Sequence, residues 1–361
     1  MKDFGLKRGM GIGGWLTNYK RFNVLPTDKR LDITIGDIEH FESYITKKDI
    51  EYIAKNGFDH IRLGFDQIVI EEKPYKYREL TVSLLESFVS WCNEFQVIPI
   101  LNLHKAIGNY CDIEESVGLL DSEELQNRFI SLWLMLENRF GNQNNVYFEL
   151  LNEVRNVDPE KWNNLYEKTV NEIRKVNRRR VIIIGTTNWN NVWNLDKLRL
   201  LNDENIIYTF HMYDPSEFTH QRGVLHAKHL YYNRIMYYPD DIEKYKEYYR
   251  ISFNNNEAYK GFDIMDKTYM SHILSPAKEF RKKYPDKCIW CGEFGTIRHA
   301  DLNSRQNWMR DVISILKEDD IPYCVWNYLS TPNDGNRFSL VDDDNRQFLS
   351  EEFRKILLGE K

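Results

Sequence analysis

The sequence predicts a (β/α)8 barrel carrying an inserted subdomain after its sixth strand. Three observations lead there. Eight short apolar runs alternate with amphipathic helical stretches. A length of 361 residues suits one large α/β domain better than two ordinary ones. Several runs also end in a polar or charged residue, as barrel strands do at the face where their loops gather.

The strand candidates are Gly9–Trp15, His60–Gly64, Val97–His104, Val146–Glu153, Val181–Thr186, Ile206–His211, Cys288–Glu293 and Tyr323–Trp326. Helical patterns between them include Lys47–Asn56, Thr81–Glu94, Glu123–Arg139, Pro159–Asn177, Met270–Lys283 and Arg305–Glu318. A doubly wound sheet is the alternative, but no strand candidate leads into a Gly-rich phosphate loop. Gly11-Ile12-Gly13-Gly14 has the wrong spacing and no convincing helix after it. The chain is read as one catalytic domain spanning residues 1–361. The stretch from Met212 to Tyr269 is too long for an ordinary loop and holds 10 of the 22 tyrosines. We read residues 214–269 as a partly helical, lid-like subdomain on the catalytic face. A second extended loop, Thr17–Phe41, belongs to the same mouth, while Asn142–Asn145 and Asn254–Asn256 read as plain turns.

A net charge of −6 argues against nucleic acid as a partner. The first nine residues lack a signal-peptide core, and no stretch is apolar enough to span a bilayer. Five cysteines without framework spacing imply reduced thiols, so a cytoplasmic monomer is expected, with a secreted form lacking its signal as the alternative. Cys288-x-x-Cys291 imitates a redox pair, but strand alternation sends its members to opposite faces, and both are expected to pack. An aromatic content of 14% offers flat rings for stacking on sugars, although a large core also consumes aromatics.

Glu153 and Glu293 each close an apolar run, a costly place for a carboxylate unless it faces a cleft and does chemistry. The other polar strand ends are Arg62, His104, Asn152, His211 and Tyr213, joined by Trp326 as an aromatic platform. Such a set of acids and donors suits hydrolysis of a glycosidic bond. Taken singly, each has a plainer reading: a glutamate salt-bridged at the rim, an arginine neutralising a barrel carboxylate, a satisfied core histidine, a packing aromatic. A metal site is not expected, since His-x-His and His-Glu-x-x-His are absent and His226-x-x-His229 has no acid or cysteine to complete it. No cofactor is implied.

Together these residues resemble glycoside hydrolase family 5, the cellulase family, from Gly9 to about Tyr328. The motifs are Ile61-Arg62-Leu63, Asn102-Leu103-His104, Leu151-Asn152-Glu153, Phe210-His211-Met212-Tyr213, Gly292-Glu293-Phe294-Gly295 and Val325-Trp326-Asn327. Phe218-Thr219-His220-Gln221, Gly57-Phe58-Asp59-His60, Tyr232-Asn233-Arg234 and the insertion are similar to the clostridial endoglucanase C type within it. Gly11, often Asn in the family, and the segment Lys105–Tyr110 depart from its pattern. The resemblance implies a retaining endo-β-1,4-glucanase acting on soluble β-glucans, cellulose-derived or mixed-linkage. It implies Glu153 as acid/base and Glu293 as nucleophile, with Arg62 and Tyr213 keeping Glu293 ionised. Asn152 would hold the sugar 2-hydroxyl, His211 tune Glu153, His104 bind hydroxyls, and Trp326 stack beneath the cleaved sugar. Trp15, Trp189 and Trp193 are either outer platforms or core residues. A β-mannanase, a xylanase, an exo-β-1,3-glucosidase and a non-hydrolytic carbohydrate-binding protein are the competing readings.

Overall fold

A computed structural model describes residues 2–17, 33–110, 118–225, 227–251, 259–331 and 334–360. Eight parallel strands close into a barrel: β1 (Arg8–Leu16), β2 (His60–Asp66), β3 (Ile98–Lys105), β4 (Tyr147–Glu149), β5 (Ile182–Gly185), β6 (Ile206–Met212), β7 (Cys288–Phe294) and β8 (Tyr323–Val325). β1 closes the ring by pairing with both β2 and β8, with Gly9 beside His60 on one side and Cys324 on the other.

The helices form where the sequence supplies both an apolar stripe and a start signal. Lys47–Lys55 begins with a Thr46/Asp49 capping box, and Pro159–Val176 begins with Asp158 capping Glu160 and a proline in its first turn. Glu79–Glu94, Glu123–Phe140 and Leu302–Glu318 likewise bury one face against the barrel. The expected helix Met270–Lys283 is instead two, Lys267–Ile273 and Ser275–Lys283. Pro276 has no N–H to give the carbonyl four residues back, so the first helix stops there.

Strand alternation divides the core in two. Inside the barrel, Phe4, Leu6, Ile100, Tyr147, Ile183, Ile207, Cys288, Trp290 and Cys324 form an apolar plug below the polar mouth. Leu101, Leu103, Phe148, Tyr208, Phe210 and Cys291 face the helices in the larger outer layer. Cys288 and Cys291 thus fall on opposite faces, as buried free thiols. Burial pushes the Cys288 thiol up to about 12 and the Cys291 thiol higher still, so both are packing groups. Cys111, His226, the turn at 254–256 and residues 18–32 of the expected loop Thr17–Phe41 lie outside the described residues, and the end of that loop is not extended but helical, Ile35–Ser43.

After β6 the chain runs through short helices Ser216–Thr219 and Ala227–Tyr232, then Ile242–Ile251, with a two-stranded ribbon pairing Asp240–Asp241 and Ile264–Met265. Its tyrosines at 238, 245, 248, 259 and 269 are buried, and they pack into the outer layer of the barrel. At the opposite, N-terminal face of the strands, Arg8 ties the start of β1 to the segment before β2 and to the end of the last described helix, Glu351–Leu357. Its Nε donates to the Gly57 carbonyl and its Nη1 to the Leu358 carbonyl, each at 2.9 Å. No helix among the described residues is long and apolar enough to cross a membrane.

Candidate active site

Arg62 is the hub of the mouth. It points inward from β2, is fully buried, and makes four hydrogen bonds. Nε and Nη2 grip Glu149 of β4 at 2.6 and 2.9 Å, Nη1 reaches Glu293 at 2.5 Å, and Nη2 also reaches Asn152 at 2.7 Å. Two buried carboxylates therefore share one guanidinium, and the planar fork accommodates both. Glu149 was not among the sequence candidates. It lies within a strand rather than at its end, but its inward register with Tyr147 makes it the counter-ion a buried arginine requires.

Glu293 reaches the site through an irregularity in β7. Alternation from Cys288 through Trp290 points Gly292 inward and would turn Glu293 outward. Between Cys291 and Glu293 the register against β6 shifts, so that Glu293 pairs with His211 while Cys291 pairs with Phe210. That bulge re-aims the carboxylate into the mouth. Gly292 makes it possible, because a Cβ there would lie 2.4 Å from Thr209 Oγ1. Tyr213 donates to Glu293 Oε1 at 2.6 Å. Burial raises the Glu293 pKa above the usual glutamate value, and the Arg62 charge and the Tyr213 hydrogen bond pull the other way.

Glu153 stands beyond its strand. The expected strand Val146–Glu153 ends its regular pairing at Glu149; beyond it the Leu150 and Asn152 N–H groups still reach the Ile183 and Leu103 carbonyls of the neighbouring strands, and Glu153 adopts a left-handed φ of 44°. A non-glycine residue in that region carries strain of the sort that collects at functional sites. Its side chain is 20% exposed against 7% for Glu293, so the more accessible carboxylate faces solvent. His211 Nδ1 lies 2.9 Å from Glu153 Oε1. Burial, outweighing the nearby charges, pushes the His211 pKa down to about 4, so the ring is neutral near pH 7. Among the described residues, Glu153, His211 and Glu293 are the one trio whose possible ligand atoms lie within 4.8 Å of one another. The Arg62 guanidinium bonded to Glu293 already supplies the positive charge a cation would bring there.

The remaining candidates converge on the same mouth. His104 Nδ1 is 3.0 Å from Asn102 Oδ1, and its ring stacks on Trp326 at 5.4 Å. Burial, with help from the Arg62 charge, keeps His104 well below the usual histidine range. Trp326 follows the last residue of β8, packs with Ile297 and Phe338, and has the Arg62 guanidinium 5.9 Å from its ring. Trp15 is not a platform: it is fully buried, donates to the Phe41 carbonyl at 2.7 Å and stacks on Trp91. Trp189 and Trp193 are 40% and 48% exposed, with the Arg155 guanidinium 5.9 Å from the first ring and the His272 ring 5.6 Å from the second.

The buried histidine makes acid tolerance measurable. A group with a folded pKa near 4 and an ordinary value of 6.5 binds its proton first in the unfolded chain. Its contribution is intact above pH 6.5 and is lost as pH falls towards 4, costing roughly 3 kcal/mol. Urea unfolding at pH 7 and pH 4.5 is expected to show a smaller acid loss in His211→Gln than in the parent chain. An equal loss would contradict the neutral, buried ring.

A closed β/α barrel whose mouth holds two carboxylates, one buried on an arginine and one more exposed beside a histidine, has the architecture of a carboxylate-pair glycosidase. The chain belongs to the cellulase family, glycosyl hydrolase family 5, whose model matches residues 27–331. It is 36% identical to Endoglucanase C of Acetivibrio thermocellus and 36% identical to Endoglucanase C307 of a Clostridium species. In each case the match covers 98% of this chain and 98% of the relative. The solved endoglucanase Cel5A of Thermotoga maritima superposes with a TM-score of 0.75 at 24% identity, covering 98% of this chain and 97% of the other, and shares the fold.

Proposed function

We propose that the protein is an endo-β-1,4-glucanase that cleaves soluble β-glucans by double displacement, with Glu293 as nucleophile and Glu153 as acid/base. The carboxylate separation supports this most directly: oxygens of the two residues lie within 4.8 Å. Retaining enzymes hold their carboxyl groups about 5–5.5 Å apart, whereas inverting ones need about 6.5–9.5 Å to admit a water.

In the first step a Glu293 oxygen bonds to the anomeric carbon, the glycosidic C–O bond breaks, and the Glu153 proton passes to the departing oxygen. In the second, Glu153 takes a proton from water as that water's oxygen displaces Glu293. Arg62 and Tyr213 hold Glu293 ionised against its burial, so activity falls as pH drops through its raised pKa. Asn152, anchored by its Oδ1 to Arg62, is placed for the sugar 2-hydroxyl, and His104 and Trp326 line the site of the cleaved sugar. Residues 214–269 act as a lid-like subdomain beside this mouth, a reading supported by the bond from Ile297 N–H, just past β7, to the Thr219 carbonyl.

Product analysis on barley β-glucan, carboxymethyl cellulose, mannan, xylan and laminarin tests the substrate. Preference for mannan, xylan or laminarin would overturn it. Glu153→Ala is expected to lose activity on glucan by about 10²–10⁴-fold, the usual contribution of a general acid/base. Added azide should restore turnover of an activated aryl glycoside as a glycosyl azide, and absence of rescue would remove Glu153 from the role.

A further inference from the structure

We propose that Asn190 is a positioning residue that fixes the ring tautomer of His211 and so decides which oxygen of Glu153 carries the catalytic proton. The proposal rests on the acid/base reading of Glu153.

Asn190 is fully buried, and its Nδ2 lies 3.1 Å from His211 Nε2, while His211 Nδ1 lies 2.9 Å from Glu153 Oε1. An amide nitrogen can only donate and a carboxylate can only accept. A neutral ring meets both demands in one form, with the proton on Nδ1 and the lone pair on Nε2. Turning the amide over would call for a proton on Nε2 and set the Nδ1 lone pair against the Glu153 carboxylate.

The local backbone holds this arrangement at a cost. Asn188, Trp189 and Asn190 are three successive left-handed residues, with φ of 58°, 59° and 53°. Asn190 Oδ1 is buried without a hydrogen-bond partner. Gly185 at the end of β5 leaves the amide its room, since a Cβ there would lie 2.5 Å from that oxygen. Strain and an unsatisfied carbonyl oxygen persist together where the surroundings enforce a particular side-chain placement.

The consequence is chemical. Oε1 of Glu153 is occupied by the Nδ1–H of His211, so the transferable proton sits on Oε2. On glycosidic cleavage the Oε2–H bond breaks, an O–H bond forms on the leaving sugar oxygen, and the electrons of its C–O bond stay with that oxygen. Glu293 supplies the pair that forms the new bond to carbon. The charge left on Glu153 is then met by a donor already in place. In the second step Oε2 recovers a proton from the attacking water.

Nitrogen-15 imidazole spectra near pH 7, assigned by the signal lost in His211→Gln, are expected to show Nδ1 protonated and Nε2 bare. Asn190→Gly, which keeps the left-handed turn, should lose that preference. It should lower kcat/KM on barley β-glucan about 10–100-fold, yet change kcat/KM for a dinitrophenyl cellobioside, whose leaving group needs no proton in the first step, by less than about twofold. Asn190→Asp should favour a proton on Nε2 and raise the His211 pKa, in a setting where Glu153, Glu293, Glu149, Arg62 and His104 also face the ring. A wild-type ring protonated on Nε2, an unchanged tautomer in Asn190→Gly, or equal losses on both substrates would overturn the proposal. If Glu153→Ala is itself indifferent to the leaving group while the tautomer still follows Asn190, the acid/base reading falls instead.

Discussion

Glu293→Gln is expected to abolish glucan hydrolysis, by on the order of 10⁵-fold or more, without unfolding the protein. An amide cannot form the glycosyl ester, yet its oxygen can still accept from Arg62 and its nitrogen can still meet the Tyr213 hydroxyl. Burial disfavours the native carboxylate, as its raised pKa shows, so the neutral replacement should leave the melting midpoint unchanged or higher. Initial rates on barley β-glucan beside a thermal melt decide the matter. Normal turnover by the folded variant would remove Glu293 from the mechanism.

The largest effect on stability is expected at Arg62. Arg62→Met leaves Glu149 and Glu293 buried with no counter-charge, an omission that costs about 3–5 kcal/mol in comparable buried pairs. The acid limb of any residual activity should move to higher pH, because Glu293 loses the cation that favours its ionised form. Adding Glu149→Gln should recover part of the stability and none of the activity, since Glu293 still lacks its arginine. Urea unfolding of the two single variants and the double variant measures this. An Arg62→Met protein as stable as the parent would show that the guanidinium is not the counter-charge of the site.

The barrel was legible because alternation of strand and helix is written in residue patterns, and because polar strand ends gather at one face whatever the loops do. His104, His211 and Tyr213 reach the mouth that way. Three features were not legible, each for a physical reason. Glu149 sits inside a strand, and only the need of Arg62 for a buried counter-ion points to it. Glu293 enters the mouth through a bulge, which inverts the alternation that sequence reading relies on. Trp15 follows Gly14, a left-handed glycine where the β1 register against β2 becomes irregular. That irregularity turns its ring towards Trp91 and away from the substrate side.

Arg8, which clasps the carbonyls of Gly57 and Leu358, has a practical bearing on how the enzyme can be handled. Arg8, at the start of β1, and Leu358, at the end of the last described helix, both lie on the side of the barrel away from Glu153 and Glu293. A tether, a resin or a carbohydrate-anchoring module attached near either residue therefore leaves the opening unobstructed. Two copies joined end to end through that side would present their clefts outward, each free to engage its own glucan strand.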